Sequence, residues 1–272
     1  MPSIEREGIE IHYEVTGDGP PVLLAHSFLC SGEMWGPLLP ALSSRYRLVN
    51  VDTRGHGASG RVARRCTVED VLRDHLAVLD ALGIARATWA GLSLGGMVAL
   101  RAAIDVPERV DALVLLDTDA GPEALGARAK HPLLALLARA IGLRPVLPQI
   151  AKVMFGPTTL RENQALAEAW TARFASLHVP SMLNVLAAVD GRADLRPSLE
   201  RIAVPALVVV GDEDRSLPPP RSRRLAAALP SARLVEVPGA GHLSALEAPA
   251  TVGAAMTQFL DVVHSVTRAT RA

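Results

Sequence analysis

The chain has 272 residues, 49% of them apolar, and its 28 basic and 28 acidic residues cancel to a formal net charge of zero. That length and composition suit one large α/β domain with an ample core, and with no block of like charge they argue against nucleic acid or an anionic membrane as the main partner. No apolar run approaches the roughly 20 residues of a membrane span, and residues 1–14 alternate charged and apolar positions instead of forming a signal-peptide core, so a cytoplasmic protein with a small neutral ligand is expected.

In chain order, Ile4 to Thr16 reads as two short strands joined near Gly8, Pro21 to His26 as a buried strand, and Arg47 to Asp52 as the next. Thr67 caps a helix whose third residue is Asp70. Val71, Leu72, Leu76, Leu79 and Leu82 mark its apolar face, and Gly83 stops it. The apolar run Ala87 to Ala90 enters Gly91-Leu92-Ser93-Leu94-Gly95, and a helix follows. Strands at Ala112 to Leu116, Ala206 to Val210 and Arg233 to Val237, then a helix from about Glu247 to His264, complete an alternation that predicts a mostly parallel sheet with right-handed crossovers. Between Gly121 and Pro197 the alternation gives way to helical periodicity in Leu133, Leu134, Leu136 and Leu137, in Leu166, Ala169 and Trp170, and in Met182, Leu183, Val185 and Leu186. So long a stretch is no loop. Residues 121–197 are expected to form a helical cap inserted into a core made of 1–120 and 198–272, over the carboxyl ends of the strands. The alternative is a helical layer without contact to substrate.

The G-x-S-x-G pattern around Ser93 is that of a nucleophile elbow. Glycines two residues either side remove the Cβ atoms that would collide in so tight a strand-to-helix turn. A serine hydroxyl needs a base, usually a histidine oriented by a carboxylate. His242, in the glycine-rich turn Pro238 to His242, is the candidate base, while His12, His75 and His264 read as packing or surface residues. Carboxylates follow two strands. Asp214, three residues past Gly211, is the preferred acid, with Asp117 or Asp119 the alternatives after the earlier strand, and Asp212 and Glu213 read as loop charges. Oxyanion donors are expected from the backbone N–H groups of Leu94 and of Phe28. Cys30 and Cys66 provide neither a disulfide framework nor a metal-ligand spacing, and no phosphate-binding glycine loop stands where one is needed, so no metal or organic cofactor is implied.

With the His26 loop, Asp52-Thr53-Arg54-Gly55-His56-Gly57-Ala58-Ser59, the elbow, Gly211-Asp212-Glu213-Asp214 and Gly241-His242, nearly the whole chain resembles the capped, cofactor-free serine hydrolases of the α/β-hydrolase fold. These include carboxylesterases, non-haem haloperoxidase-like perhydrolases and 3-oxoadipate enol-lactonases. The resemblance implies that residues 52–59 shape the base of the site, with Arg54 and His56 structural. It also marks a departure, because Ser27 stands where the family usually has glycine. That hydroxyl could tune the oxyanion hole, touch substrate or face solvent. Epoxide hydrolases and haloalkane dehalogenases carry aspartate at the elbow, so Ser93 speaks against those chemistries. The expected reaction is hydrolysis of a small carboxylic ester or lactone through an acyl-enzyme, with Ser93 attacking, His242 moving the proton and Asp214 orienting the ring. Carbon–carbon bond hydrolysis or perhydrolysis by the same residues is the alternative, and a ligand-binding protein on the same fold a more distant one. Inward-facing Leu133, Leu137, Phe155, Trp170 and Phe174 would make an apolar pocket beside Ser27. Arg128, Lys130, Arg139, Arg144 and Arg173 are candidate partners for a substrate carboxylate, and oligomeric state is left open.

Overall fold

The runs Ala112 to Leu116 and Ala206 to Val210 are apolar at every position, so both faces of their strands must be covered. A computed structural model describes residues 2–123 and 125–271, without the side chains of residues 125, 127, 130, 134 and 266–271. Among the described residues eight strands, β1 (Ser3–Arg6), β2 (Ile9–Thr16), β3 (Pro21–Ala25), β4 (Arg47–Val51), β5 (Ala87–Leu92), β6 (Val110–Leu116), β7 (Ala206–Gly211) and β8 (Ala232–Val237), form one sheet in the order β1-β2-β4-β3-β5-β6-β7-β8. β2 runs antiparallel to β1 and β4, and every other pairing is parallel. The α/β class with a mostly parallel sheet flanked by helices is therefore the one the alternation predicts.

The helices are α1 (Leu39–Ser43), α2 (Val68–Ala81), α3 (Leu94–Asp105), α4 (Leu125–Ile141), α5 (Leu147–Met154), α6 (Pro157–Glu162), α7 (Gln164–Ala175), α8 (Val179–Gly191), α9 (Pro219–Ala228), α10 (Ser244–Glu247) and α11 (Pro249–Arg271). Period-two alternation divides the strand side chains between two cores. Leu113, Leu115 and Val208 face one side with Val71, Leu72, Val98 and Leu225 of α2, α3 and α9. Val114, Leu116, Leu207 and Val209 face the other, with Leu42, Val252, Met256 and Leu260 of α1 and α11. Each such aliphatic side chain, fully buried, contributes about 1.5–3 kcal/mol. Thr67 and Asp70 cap α2 reciprocally, and Gly83 follows its end at φ +67°.

The helix expected from Glu247 to His264 is instead two. Ala248, held at φ −135° and ψ 58°, separates α10 from α11 because the residue before Pro249 is pushed out of the helical region. Helices α4 to α8 all lie between β6 and β7. Among the described residues no helix is long and apolar enough to cross a membrane.

Candidate active site

The parallel register places the ends of β3, β5, β6 and β7 side by side, so loops far apart in sequence meet at one edge. β5 turns into α3 within one residue. Ser93 takes φ 53° and ψ −111°, a strained conformation for any residue with a Cβ, and three bonds hold it there. Its N–H donates to the Leu116 carbonyl at 2.9 Å, and its own carbonyl accepts from the Met97 N–H at 3.0 Å and the Thr118 hydroxyl at 2.8 Å.

The Ser93 hydroxyl lies 3.0 Å from His242 Nε2, and His242 Nδ1 lies 2.8 Å from Asp214 Oδ2. A carboxylate only accepts, so Nδ1 carries the ring proton and Nε2 is free to accept from serine. The other Asp214 oxygen accepts from the N–H groups of Ser216 and Leu217 at 2.8 and 2.9 Å, which fixes the carboxylate plane. Burial of His242 disfavours its charged form, yet the neighbouring Asp214 carboxylate outweighs it and holds the ring above the ordinary value of 6.5. The two alternative acids are placed elsewhere. Asp119 pairs with Arg221 at 2.7 Å, and Asp117 is bonded to Gly211 and Ser244 rather than to the imidazole.

Leu94 is the first residue of α3, where N–H groups have no partner within the helix and the dipole favours negative charge. The loop carrying Phe28 is held by His26, whose Nε2 accepts from the Thr53 N–H at 2.8 Å while Nδ1 faces the Ser27 carbonyl at 2.7 Å. That pattern requires a neutral ring protonated on Nδ1, and burial lowers the His26 pKa accordingly. Ser27 is 1% exposed and its hydroxyl donates to the Phe28 carbonyl at 3.2 Å, so the solvent-facing option falls away. Beneath the loop, Asp52 accepts from Gly32 and Ala58 at 2.7 and 2.8 Å. Arg54 makes two 2.6 Å bonds to Asp74 of α2, and burial takes His56 down to about 3. His12 and His75 are both buried.

The pocket expectation needs correcting. Leu133 and Leu137 are 62% and 38% exposed: α4 turns Ala138 and His131 inward, the latter 2.6 Å from Asp190 of α8, and leaves the leucines facing out. Phe155 and Phe174 are wholly buried and stacked with ring centres 6.5 Å apart, and Trp170 tilts against Phe174. Trp170 also edges a groove of about 870 Å³ bordered by Leu29, His56, Arg173 and His178. Ser93 is only 8% exposed. Of the basic residues between β6 and β7, Arg128, Arg139 and Arg144 are exposed, Arg173 pairs with Glu33 at 2.8 Å, and the Lys130 side chain lies outside the described residues.

Two carboxylates missed by sequence reasoning pin the segment after α5. Glu213, read as a loop charge, accepts from the N–H and the hydroxyl of Thr158, both at 2.8 Å. Glu247 accepts from the Gly156 N–H at 2.8 Å and from the Leu243 N–H at 3.0 Å. Both sit beside the acid and the base, and the backbone at Gly156 lies so close to Gly241 that a Cβ at Gly241 would collide with it. Only the adjacency of Glu213 to Asp214 could have flagged it.

Residues 20–249 match the family model described as alpha/beta hydrolase fold. The chain is similar to the solved structure of a thermophilic esterase from Thermogutta terrifontis, with TM-score 0.91 and 29% identity over 96% of this chain and 97% of that one. It is likewise similar to the enol-lactonase from Burkholderia xenovorans LB400, with TM-score 0.89 and 30% identity over 96% and 100%. A pimeloyl-[acyl-carrier protein] methyl ester esterase of Nitrosomonas europaea is 31% identical over 248 residues, 88% of this chain and 95% of that protein.

Proposed function

The chain belongs to the α/β-hydrolase fold family and is a hydrolase, and from that premise we propose that it cleaves a small carboxylic ester or lactone through an acyl-enzyme. The observation that carries this reading is the continuous path from Asp214 Oδ2 to His242 Nδ1 at 2.8 Å and from His242 Nε2 to Ser93 Oγ at 3.0 Å. As Ser93 Oγ attacks the carbonyl carbon, its proton passes to His242 Nε2, and Asp214 stabilises the imidazolium. The N–H groups of Leu94 and Phe28 receive the oxyanion. His242 then protonates the leaving alkoxide; in the second half it takes a proton from water as the water attacks the acyl-enzyme, and returns that proton to Ser93 Oγ as the acyl carbon–oxygen bond to Ser93 breaks and the acid leaves. The names of the related proteins, an esterase, an enol-lactonase and a methyl ester esterase, support carbonyl–oxygen cleavage.

In this reading residues 121–197 are a cap. With Ser93 only 8% exposed, substrate reaches it when the cap shifts, and Phe155 and Phe174 are its apolar inner wall. A fluorophosphonate probe should label wild-type Ser93, identified by mass spectrometry. Ser93→Ala should abolish both labelling and turnover of a graded acyl ester and lactone series without changing the circular dichroism spectrum. Near-normal turnover by Ser93→Ala would refute the mechanism.

A further inference from the structure

Asp117 follows β6 at φ 45°, a conformation that few residues with a Cβ adopt, and its side chain is fully buried. Strain and burial of a carboxyl together need a compensating set of bonds. Oδ1 accepts from the N–H of Gly211 at 2.9 Å, and the Gly211 carbonyl in turn accepts from the N–H of Asp214 at 3.1 Å. Oδ2 lies 2.5 Å from the Ser244 hydroxyl and accepts from the Ser244 N–H at 3.3 Å. Ser244 is two residues beyond His242. The residue before Asp117, Leu116, supplies the carbonyl that holds the Ser93 N–H.

One carboxyl therefore touches both the end of β7, which leads into the Asp214 loop, and the start of α10, which follows the His242 loop, from the end of the strand that also anchors Ser93. We infer that Asp117 is a positioning residue, a strut that sets the spacing between the Asp214 loop and the His242 loop; this rests on the reading of Ser93, His242 and Asp214 as one catalytic chain.

The surroundings of the strut favour its neutral form. The groups that face it are the Asp214 carboxylate, the His242 ring and the Ser244 hydroxyl, with Glu247 of α10 also acting on the ring. Burial, and then the negative charge of Asp214, push the Asp117 carboxyl well above the usual carboxylate range. Two adjacent buried carboxylates do not both ionise easily. In the neutral form Oδ2–H donates to Ser244 Oγ while Oδ1 keeps the Gly211 bond. An asparagine reproduces both bonds and gives up only the long one to the Ser244 N–H.

The test compares Asp117→Asn, Asp117→Ala and Ser244→Ala in kcat, KM, the pH profile of kcat/KM, and the downfield proton resonance of the His242 Nδ1–H. Catalysis needs His242 neutral, so kcat/KM falls as pH drops through a pKa raised above 6.5. Asp117→Asn should stay within about threefold of wild type and leave that acidic limb in place. Asp117→Ala should lose about 10- to 100-fold in kcat, the scale of a misplaced catalytic group, with KM little changed and the Nδ1 proton signal broadened. Ser244→Ala removes one end of the strut while leaving Asp117 in place, and should lower kcat by a smaller factor.

Unchanged kcat in both Asp117→Ala and Ser244→Ala overturns the strut. A loss in Asp117→Asn as large as in Asp117→Ala, with the acidic limb moved to lower pH, also overturns it, because the negative charge would then be what matters. Should Asp117→Ala fail to fold, unchanged kcat in Ser244→Ala, or a loss of about tenfold or more in Asp117→Asn with the acidic limb moved to lower pH, overturns the strut on its own. The resonance is read without turnover, so failure of the Ser93 mechanism, seen as activity in Ser93→Ala, is told apart from failure of the strut.

Discussion

A Cβ placed on Gly91 would collide with the Gly95 backbone, one on Gly95 with the Ala25 carbonyl, and one on Gly96 would lie 2.7 Å from the Thr118 side chain. Helix α4, by contrast, leaves Leu133, Leu136, Leu137 and Ile141 exposed along its length, and Gly126 within it has nothing within 4 Å of a would-be Cβ. Both stretches are rich in apolar residues. Around Ser93 the sheet register dictates where each atom goes, so sequence letters translate into geometry. Between β6 and β7 the helical period dictates only that a stripe exists, and packing against α8 decides which way it turns.

The comparison is sharpened most by substitutions at the pinned end. Asp214→Asn keeps the shape of the acid but loses the fixed ring tautomer, and kcat should fall by roughly 10⁴, the loss seen when a serine protease triad suffers the same change. Steady-state turnover on the best ester checks it, and a loss under tenfold would mean that Asp214 does not orient His242. Gly95→Ala forces a methyl group into the Ala25 carbonyl, which is backbone and cannot swing aside. Overpacking of this kind costs about 1–3 kcal/mol or more, so the urea midpoint should drop clearly. An unchanged midpoint would show that the elbow has more room than the glycine contacts indicate.

How much could be read from the letters follows the same division. The strands were legible because runs such as Ala206 to Val210 are apolar on both faces, and Ser93, Asp214 and His242 because each follows a strand end beside a glycine that a tight turn requires. The structure then brings the three into hydrogen-bonded contact. Asp117 was visible as a carboxylate but not as a bridge, since its partners Gly211 and Ser244 lie 94 and 127 residues away in sequence. Glu213 was misread because nothing local distinguishes a loop charge in water from one that meets Thr158. The inward direction that a pocket role for Leu133 and Leu137 requires is not the one observed, for a simple reason. A helix with apolar residues around much of its circumference has two faces that satisfy the same period, and Ala138 and His131, small and polar, take the inner one.

Between these extremes lies the contact of Glu213 with Thr158, where the acid loop grips the segment leading into α6. Glu213→Ala removes two acceptors for 2.8 Å bonds. The site is half-buried, and a charged hydrogen bond contributes about 1.5–3 kcal/mol when buried, so the net loss belongs toward the lower end of that range. Faster limited proteolysis between α5 and α7, with a raised KM and a kcat held within a few fold, is the expected pattern. An unchanged cleavage rate would mean that Glu247 alone holds this segment.

The smallest effect belongs to the exposed leucines. Leu133→Ser combined with Leu137→Ser removes apolar surface that already faces water, at 62% and 38% exposure, so stability should move by no more than about 0.5 kcal/mol. Relative turnover of test esters with short and long acyl chains should stay the same. Were these residues to form part of a substrate pocket when the insertion moves, the double variant would lose kcat/KM selectively for the longer acyl chains, by about 0.8 kcal/mol or roughly fourfold for each methylene no longer buried. A flat ratio across chain length leaves the inner wall to Phe155 and Phe174. A graded loss would show that α4 rolls by a large part of a turn during catalysis, and that the orientation in which Ala138 packs inward is only one of the two that its apolar period permits.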